Sequence, residues 1–182
     1  MPDRLHFTDS DEANELIAAN PMALLIGFAL DQQVTVQKAF CGPLALQQRL
    51  GTLDPRTLAT ADLEPLFREK PAIHRFPGSM ARRVQDLAAH VRDRYDGEAA
   101  RVWTDAHDSQ ALRANLSALP GFGEMKIKAI AAVLAKRFGV EIAKELVPPH
   151  PTLGDVDSAQ ALADYQAAKR EHKLSLRASA TR

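Results

Sequence analysis

The sequence predicts an all-α protein. Alanine and leucine recur throughout, whereas the apolar–polar alternation of a strand is scarce. Small polar residues stand just ahead of apolar stripes spaced by three and four, the pattern of capped amphipathic helices. Stretches rich in proline and glycine, such as KPAIHRFPGS and VPPHPTLGDVDS, separate the stripes as loops.

The elements follow in order. Ser10-Asp11 caps a short helix that ends near Asn20-Pro21. Met22 to about Gln33 reads as a helix with no polar face until Asp31, hence buried on most sides. Thr35 caps VQKAFCG, and Gly42-Pro43 is expected to interrupt it before LALQQRL. Leu53-Asp54-Pro55 is a turn, and a short helix carrying Leu63, Leu66 and Phe67 follows Thr60. Ser79 is placed to cap a long helix whose core stripe is Met80, Val84, Leu87, Val91 and Tyr95, ended by Gly97. Trp103 lies in a short segment and reads as core. Asp108 or Ser109 caps a helix with Leu112, Leu116 and Leu119 inward, and a partner helix runs to about Phe138-Gly139. Asp157 or Ser158 caps the last amphipathic helix, and the tail LSLRASATR is expected to fray.

Composition narrows the function classes. The chain has 182 residues, 46% of them hydrophobic and 25% charged, an ordinary balance for one globular unit. Its single cysteine, Cys41, excludes a disulfide framework and a four-cysteine cluster within the chain, and reads as a small buried apolar residue. The histidines at 6, 74, 90, 107, 150 and 172 show no i, i+4 pair, so no metal site is expected. The start, MPDRLHFTDSDEANE, lacks the apolar region of a secretory signal, and MALLIGFAL is too short to span a bilayer. No membrane partner is expected, and the expected location is the cytoplasm. With 23 basic and 23 acidic residues, the chain could hold nucleic acid only through a local patch or backbone groups.

"LPGFGEMKIKAI", Leu119 to Ile130, supplies such groups. Gly121-Phe122-Gly123 allows a tight turn between two helices, with Phe122 packed back between them. The glycines leave peptide N–H groups uncovered where the second helix begins, an anion site suited to a phosphate. Lys126 and Lys128 lie within the first turns. Taken alone, the turn fits a plain αα-hairpin equally well.

With its flanks, Leu119-Pro120 ahead of Gly121-Phe122-Gly123, then two variable residues, Lys126, and Ala129, Ala132 and Val133, the stretch resembles the helix–hairpin–helix motif of DNA-repair proteins. The order of a buried helix ending in "LDQQVT", the glycine hairpin, and a Gly/Pro-rich loop with an aspartate resembles the endonuclease III-like (HhH-GPD) DNA glycosylase superfamily, over roughly Met22 to Asp157. That resemblance implies a two-lobed helical fold, with residues 22–118 as a helical lobe. Residues 1–21 and 119–182 would form the hairpin lobe. It implies a monomer that excises a damaged base, with an alkylated purine as first guess, from duplex DNA and binds the abasic site. It also implies a nucleoid-associated location. The alternative is a non-catalytic DNA-binding or scaffold protein that keeps the fold without the chemistry.

Site residues follow from the same resemblance. The family's catalytic aspartate maps to Asp157, in "VDS" ahead of a helix, with Asp155 second; a simple N-cap is the competing role for Asp157. These residues lie 32 and 34 positions beyond Gly123, farther than the family's usual spacing. At that usual spacing the chain reads Glu141-Ile142-Ala143-Lys144, so the loop is expanded or the carboxylate is lost. Strand-nicking members carry a nucleophilic lysine where this chain has Met125, and Lys126 lies about 100° round the helix. The implied enzyme is therefore monofunctional, with no cofactor and no iron–sulfur cluster. Met125 either lines the pocket or, more in keeping with methionine, packs in the core. Gln33, with Gln32, matches the region that fills the gap left by an extruded base, against a solvated helix end. His74, Arg75 and Phe76 together offer a proton-transfer group, a phosphate partner and a stacking ring. Their simpler reading is a packed Phe76 beside a surface His74.

Overall fold

The computed structural model describes residues 1–181, and these are all-α: ten α-helices and two 3-10 turns, with no strand among the described residues. Helix α1 (Asp11–Ala19) starts where the Ser10 hydroxyl accepts the Ala13 amide hydrogen bond. Buried Asn14 fastens the N-terminal segment to it, accepting from the Thr8 amide at 3.0 Å and donating to the Thr8 carbonyl at 3.1 Å. Asn20 then ends α1 and caps α2 (Pro21–Leu30), accepting from Met22 and Ala23 across a 114° bend.

Helix α2 is the centre of the fold. Every residue after Pro21 is buried, as the absence of a polar face predicts. Gly27 lets α3 (Val36–Leu50) approach, since a methyl group there would lie 2.3 Å from the Phe40 ring. Phe7 and Phe28 meet Phe40 edge-on at 5.0 and 5.1 Å, an arrangement that favours the ring quadrupoles. Contrary to the expected interruption, α3 runs unbroken through Pro43. Gly42 and Pro43 are both buried there, and Leu30 occupies the space a Gly42 side chain would need, so packing outweighs the lost hydrogen bond.

Short helices α4 (Pro55–Leu58) and α5 (Glu64–Arg68) lead to α6 (Pro77–Tyr95). The predicted stripe of α6 is buried in full, but the helix begins at Pro77, not at a Ser79 cap. Proline at the first helical position needs no N–H partner, which explains the earlier start. Helix α7 (Arg101–Thr104) buries Trp103, and α8 (Ser109–Ser117) is capped by Asp108. Helix α9 (Glu124–Arg137) buries Ile127, Ile130 and the run Ala131–Ala135 against α8 and the 3-10 turns Glu141–Leu146 and Leu153–Asp155. Helix α10 (Ala159–Ala180) is capped by Ser158 and extends to Ala180 within the tail expected to fray, of which Arg182 lies outside the described residues; Leu162 is its only buried residue. Cys41 is half-buried rather than buried. Among the described residues, no single helix is long and apolar enough to cross a membrane.

Candidate nucleic-acid interface

The α8–α9 connection is a tight hairpin. The Phe122 amide donates to the Leu119 carbonyl at 3.1 Å, and Gly121 takes a left-handed φ of 79° that a side chain would strain. Phe122 is 6% exposed and packs inward. The first α9 amide to return to the backbone is that of Ile127, which donates to Gly123 at 3.0 Å. The amides of Glu124, Met125 and Lys126 precede it, and Gly123 gives them no side-chain cap. A methyl group built on Gly123 meets nothing within 4 Å, and Glu124 and Met125 beside it are exposed residues.

Cations gather on this turn from three elements. The Arg83 guanidinium of α6 lies directly against Gly121, where an added methyl group would stand 1.8 Å from Nη1. Arg83 makes no hydrogen bond or ion pair among the described residues. Lys126 folds inward, with Nζ 3.4 Å from the Ala29 carbonyl and 5.6 Å from the Phe122 ring centre. Burial pushes its pKa down, Asp31 opposes that shift, and Arg83 adds to it. Lys128 is exposed and lies 4.0 Å from Glu124. Glu124 would repel an anion at the helix start, but Arg113 from α8 grips its carboxylate in a fork. That hydrogen bonding, Arg113's charge and Lys128 hold Glu124 below the usual carboxylate range.

The other wall is the C-terminal end of α2. The Gln32 side chain is half-buried and donates to the Ala29 carbonyl at 3.2 Å, with the Met80 sulfur at 3.4 Å. Gln33 is exposed and sits at φ 57°, an uncommon backbone for a residue with a side chain. Asp31 caps α2 and is half-buried. Burial raises its pKa, and Lys169 of α10 and Lys126 of α9 pull the other way.

His74 reverses its expected position. It is 1% exposed, whereas Phe76 is 38% exposed. Its Nδ1 accepts from the Phe76 amide at 3.0 Å, which places the proton on Nε2, 3.0 Å from the Leu30 carbonyl. Both nitrogens are thus used in holding the 74–76 loop to α2, and His74 cannot meet a phosphate or shuttle a proton to one. Burial lowers its pKa most; hydrogen bonds to the Leu30 and Gln32 backbone oppose the shift, and Lys38 and Lys126 reinforce it. Arg75 is exposed, with its guanidinium 5.2 Å from the Phe76 ring centre. Met125 is 84% exposed, not packed in the core. It sits at the second position of α9, where the face is open.

The loop carboxylates lie elsewhere. Gly154 packs on the Ala132 carbonyl, which seats the 153–155 turn against the far half of α9. Asp155 accepts from Lys136 Nζ at 2.5 Å and from the Thr152 amide at 2.9 Å, completing a capping box. Burial raises its pKa, but the bonds from Lys136 and Thr152 outweigh that and lower it. Asp157 is exposed in a dent of about 130 Å³ with Pro2, Arg4, His6, Lys136 and Arg137 among its neighbours. Ser158, not Asp157, caps α10. Lys136 is twelve residues past Glu124, about 18 Å along the helix axis. The structure therefore brings Gly121, Phe122, Gly123, Met125, Lys126, Lys128, Gln32 and Gln33 to one region, and leaves Asp155 and Asp157 at the other end of α9.

Asp31 carries no sequence signal for this region, since it reads only as the first polar residue of a buried helix, whereas Arg83 reads from the sequence as a solvated-face residue with phosphate contact as its alternative role. Lys126 meets Ala29 across 97 positions, a juxtaposition no local pattern encodes. A roomier cavity of about 420 Å³, bounded by Asn20–Met22, Leu53–Pro55 and Gly97–Ala100, lies at the opposite end of α2. Compared with known proteins, the chain matches no family model, no curated protein and no solved structure.

Proposed function

We propose that this chain is a monofunctional DNA glycosylase that holds the phosphate backbone of damaged duplex DNA on the 119–123 hairpin. The observation that carries the reading is the uncapped start of α9 with the Arg83 guanidinium laid on Gly121. Amide donors, the positive helix end and an uncommitted guanidinium converge on one small surface of an electrically balanced chain. Such contacts hold a phosphate without reading bases. Exposed Gln33 stands ready to enter the base stack, and exposed Met125 leaves no amine for strand nicking at that position.

A second reading, a non-catalytic DNA-binding module, is favoured by Asp155 being tied into a capping box and Asp157 lying away from the hairpin. Fluorescence anisotropy on an abasic-site duplex tests the feature both readings share. Affinity is expected to fall as salt rises, with a logarithmic slope of about −0.9 for each phosphate contact. Absence of binding, or binding indifferent to salt, removes both. Base release from methylated duplex DNA then separates the enzyme from the module.

A further inference from the structure

We propose that Asp31, not a loop aspartate, is the carboxylate that acts on the sugar of the extruded nucleotide. The proposal rests on the glycosylase reading above. Asp31 caps the carbonyl end of α2, where Lys126 from the start of α9 reaches the Ala29 carbonyl at 3.4 Å, and the charge of Lys169 from α10 acts on it as well. It is half-buried, and its carboxylate accepts no hydrogen bond among the described residues. Asp155 provides the contrast, because its oxygens are taken up by Lys136 and Thr152.

Folding alone gives little reason for a carboxylate at this place. The carbonyl end of a helix carries partial negative charge, and an aspartate there is repelled. Burial adds to the cost, and the structure answers with two ammonium groups rather than with a neutral residue. A carboxylate kept in an unfavourable setting, two residues before an exposed left-handed Gln33 and at the helix end that Lys126 of the uncapped α9 start reaches, has the marks of a working group.

The step balances without a cofactor. A nucleotide whose phosphate rests on the α9 amides would present its sugar toward the α2 end. Asp31 accepts a proton from a water molecule as the water oxygen bonds to the sugar C1′. The bond from C1′ to the base nitrogen breaks, and its electron pair leaves with the base. An N-alkylated purine already carries a positive charge, so it departs neutral and needs no proton donor. The carboxylic acid formed on Asp31 then returns its proton to solvent. Lys126 and Lys169 favour the ionised carboxylate that begins this cycle, and its negative charge faces the oxocarbenium character developing on the sugar.

The test compares the parent, Asp31→Asn and Asp157→Asn on two probes: a duplex bearing 7-methylguanine, for base release, and an abasic-site duplex, for binding. Asp31→Asn is expected to lose about 100-fold or more of the release rate while binding the abasic duplex as tightly as the parent or tighter. A circular-dichroism melt at or above that of the parent shows that the variant is folded. Release at the parental rate by Asp31→Asn, or release lost only in Asp157→Asn, overturns the assignment and leaves the glycosylase reading standing. A parent that binds the abasic duplex in a salt-dependent way yet releases no base overturns both, in favour of the binding module.

Discussion

The Arg83 guanidinium rests on the Cα of Gly121, so closely that a methyl group there would stand 1.8 Å from Nη1. The contact joins α6 to the hairpin and sets an arginine without a hydrogen-bond partner among the described residues beside the uncapped start of α9. Gly121→Ala must push Arg83 aside and hold a side chain at φ 79°. It is expected to cost about 1–2 kcal/mol of stability in urea unfolding. Arg83→Ala is expected to leave stability nearly unchanged and to lower the salt slope of DNA binding by about one. An unaltered slope would show that Arg83 does not touch phosphate.

Gly123 separates stability from binding. It occupies the N-cap position of α9 with extended backbone and open space around it, so an aspartate fits without strain. Gly123→Asp is expected to stabilise the fold by a few tenths of a kcal/mol, about the usual gain of a capping side chain over glycine. The same carboxylate would occupy the amides and repel a phosphate. A variant that melts higher and binds duplex DNA worse is the expected result; unchanged binding would place the DNA elsewhere.

Acid should weaken the protein through buried His74 and half-buried His90. His74 and His90 both have pKa values lowered first by burial, so protonation is harder in the folded chain than in the unfolded one. The stability they contribute is complete above about pH 6.5 and is lost as pH falls through their folded values. Urea midpoints are expected to drop between about pH 7.5 and pH 5. His74→Phe should flatten that dependence while costing about 1–3 kcal/mol, because the Leu30 carbonyl loses its donor.

Asp31 and Asp155 should respond to pH in opposite senses. The Asp155 carboxyl is lowered, so its contribution is present above the ordinary aspartate range and lost as pH falls through the folded value. Asp155→Ala removes the capping box and is expected to cost about 1 kcal/mol at neutral pH. The Asp31 carboxyl is raised against the pull of Lys126 and Lys169, so its contribution is present at low pH and lost as pH rises through the folded value. Asp31→Asn is therefore expected to melt at or above the parent at neutral pH, and a clearly lower melt would mark Asp31 as a structural residue.

The hairpin was legible in the sequence because glycine spacing, a preceding proline and flanking apolar stripes are all local. The α6 stripe and the Ser10 cap were legible for the same reason. What misled was long-range packing. Pro43 reads as a break, yet the close approach of Leu30 and Ile73 to Gly42 keeps α3 whole. His74 and Phe76 read as surface and core, yet the open carbonyl of Leu30, 44 positions away, drew the imidazole inward and left the ring outside. Asp31 and Arg83 acquire their neighbours only when α2, α6 and α9 converge.

The carbonyl end of α2 is held from two distant parts of the chain, by Lys126 at Ala29 and by His74 at Leu30. A clasp of this kind makes it hard for either half to loosen alone, because releasing one strips donors from the helix that supports the other. Heat should therefore undo the molecule in a single step, with the signal of Trp103 and the loss of helix coinciding at one temperature.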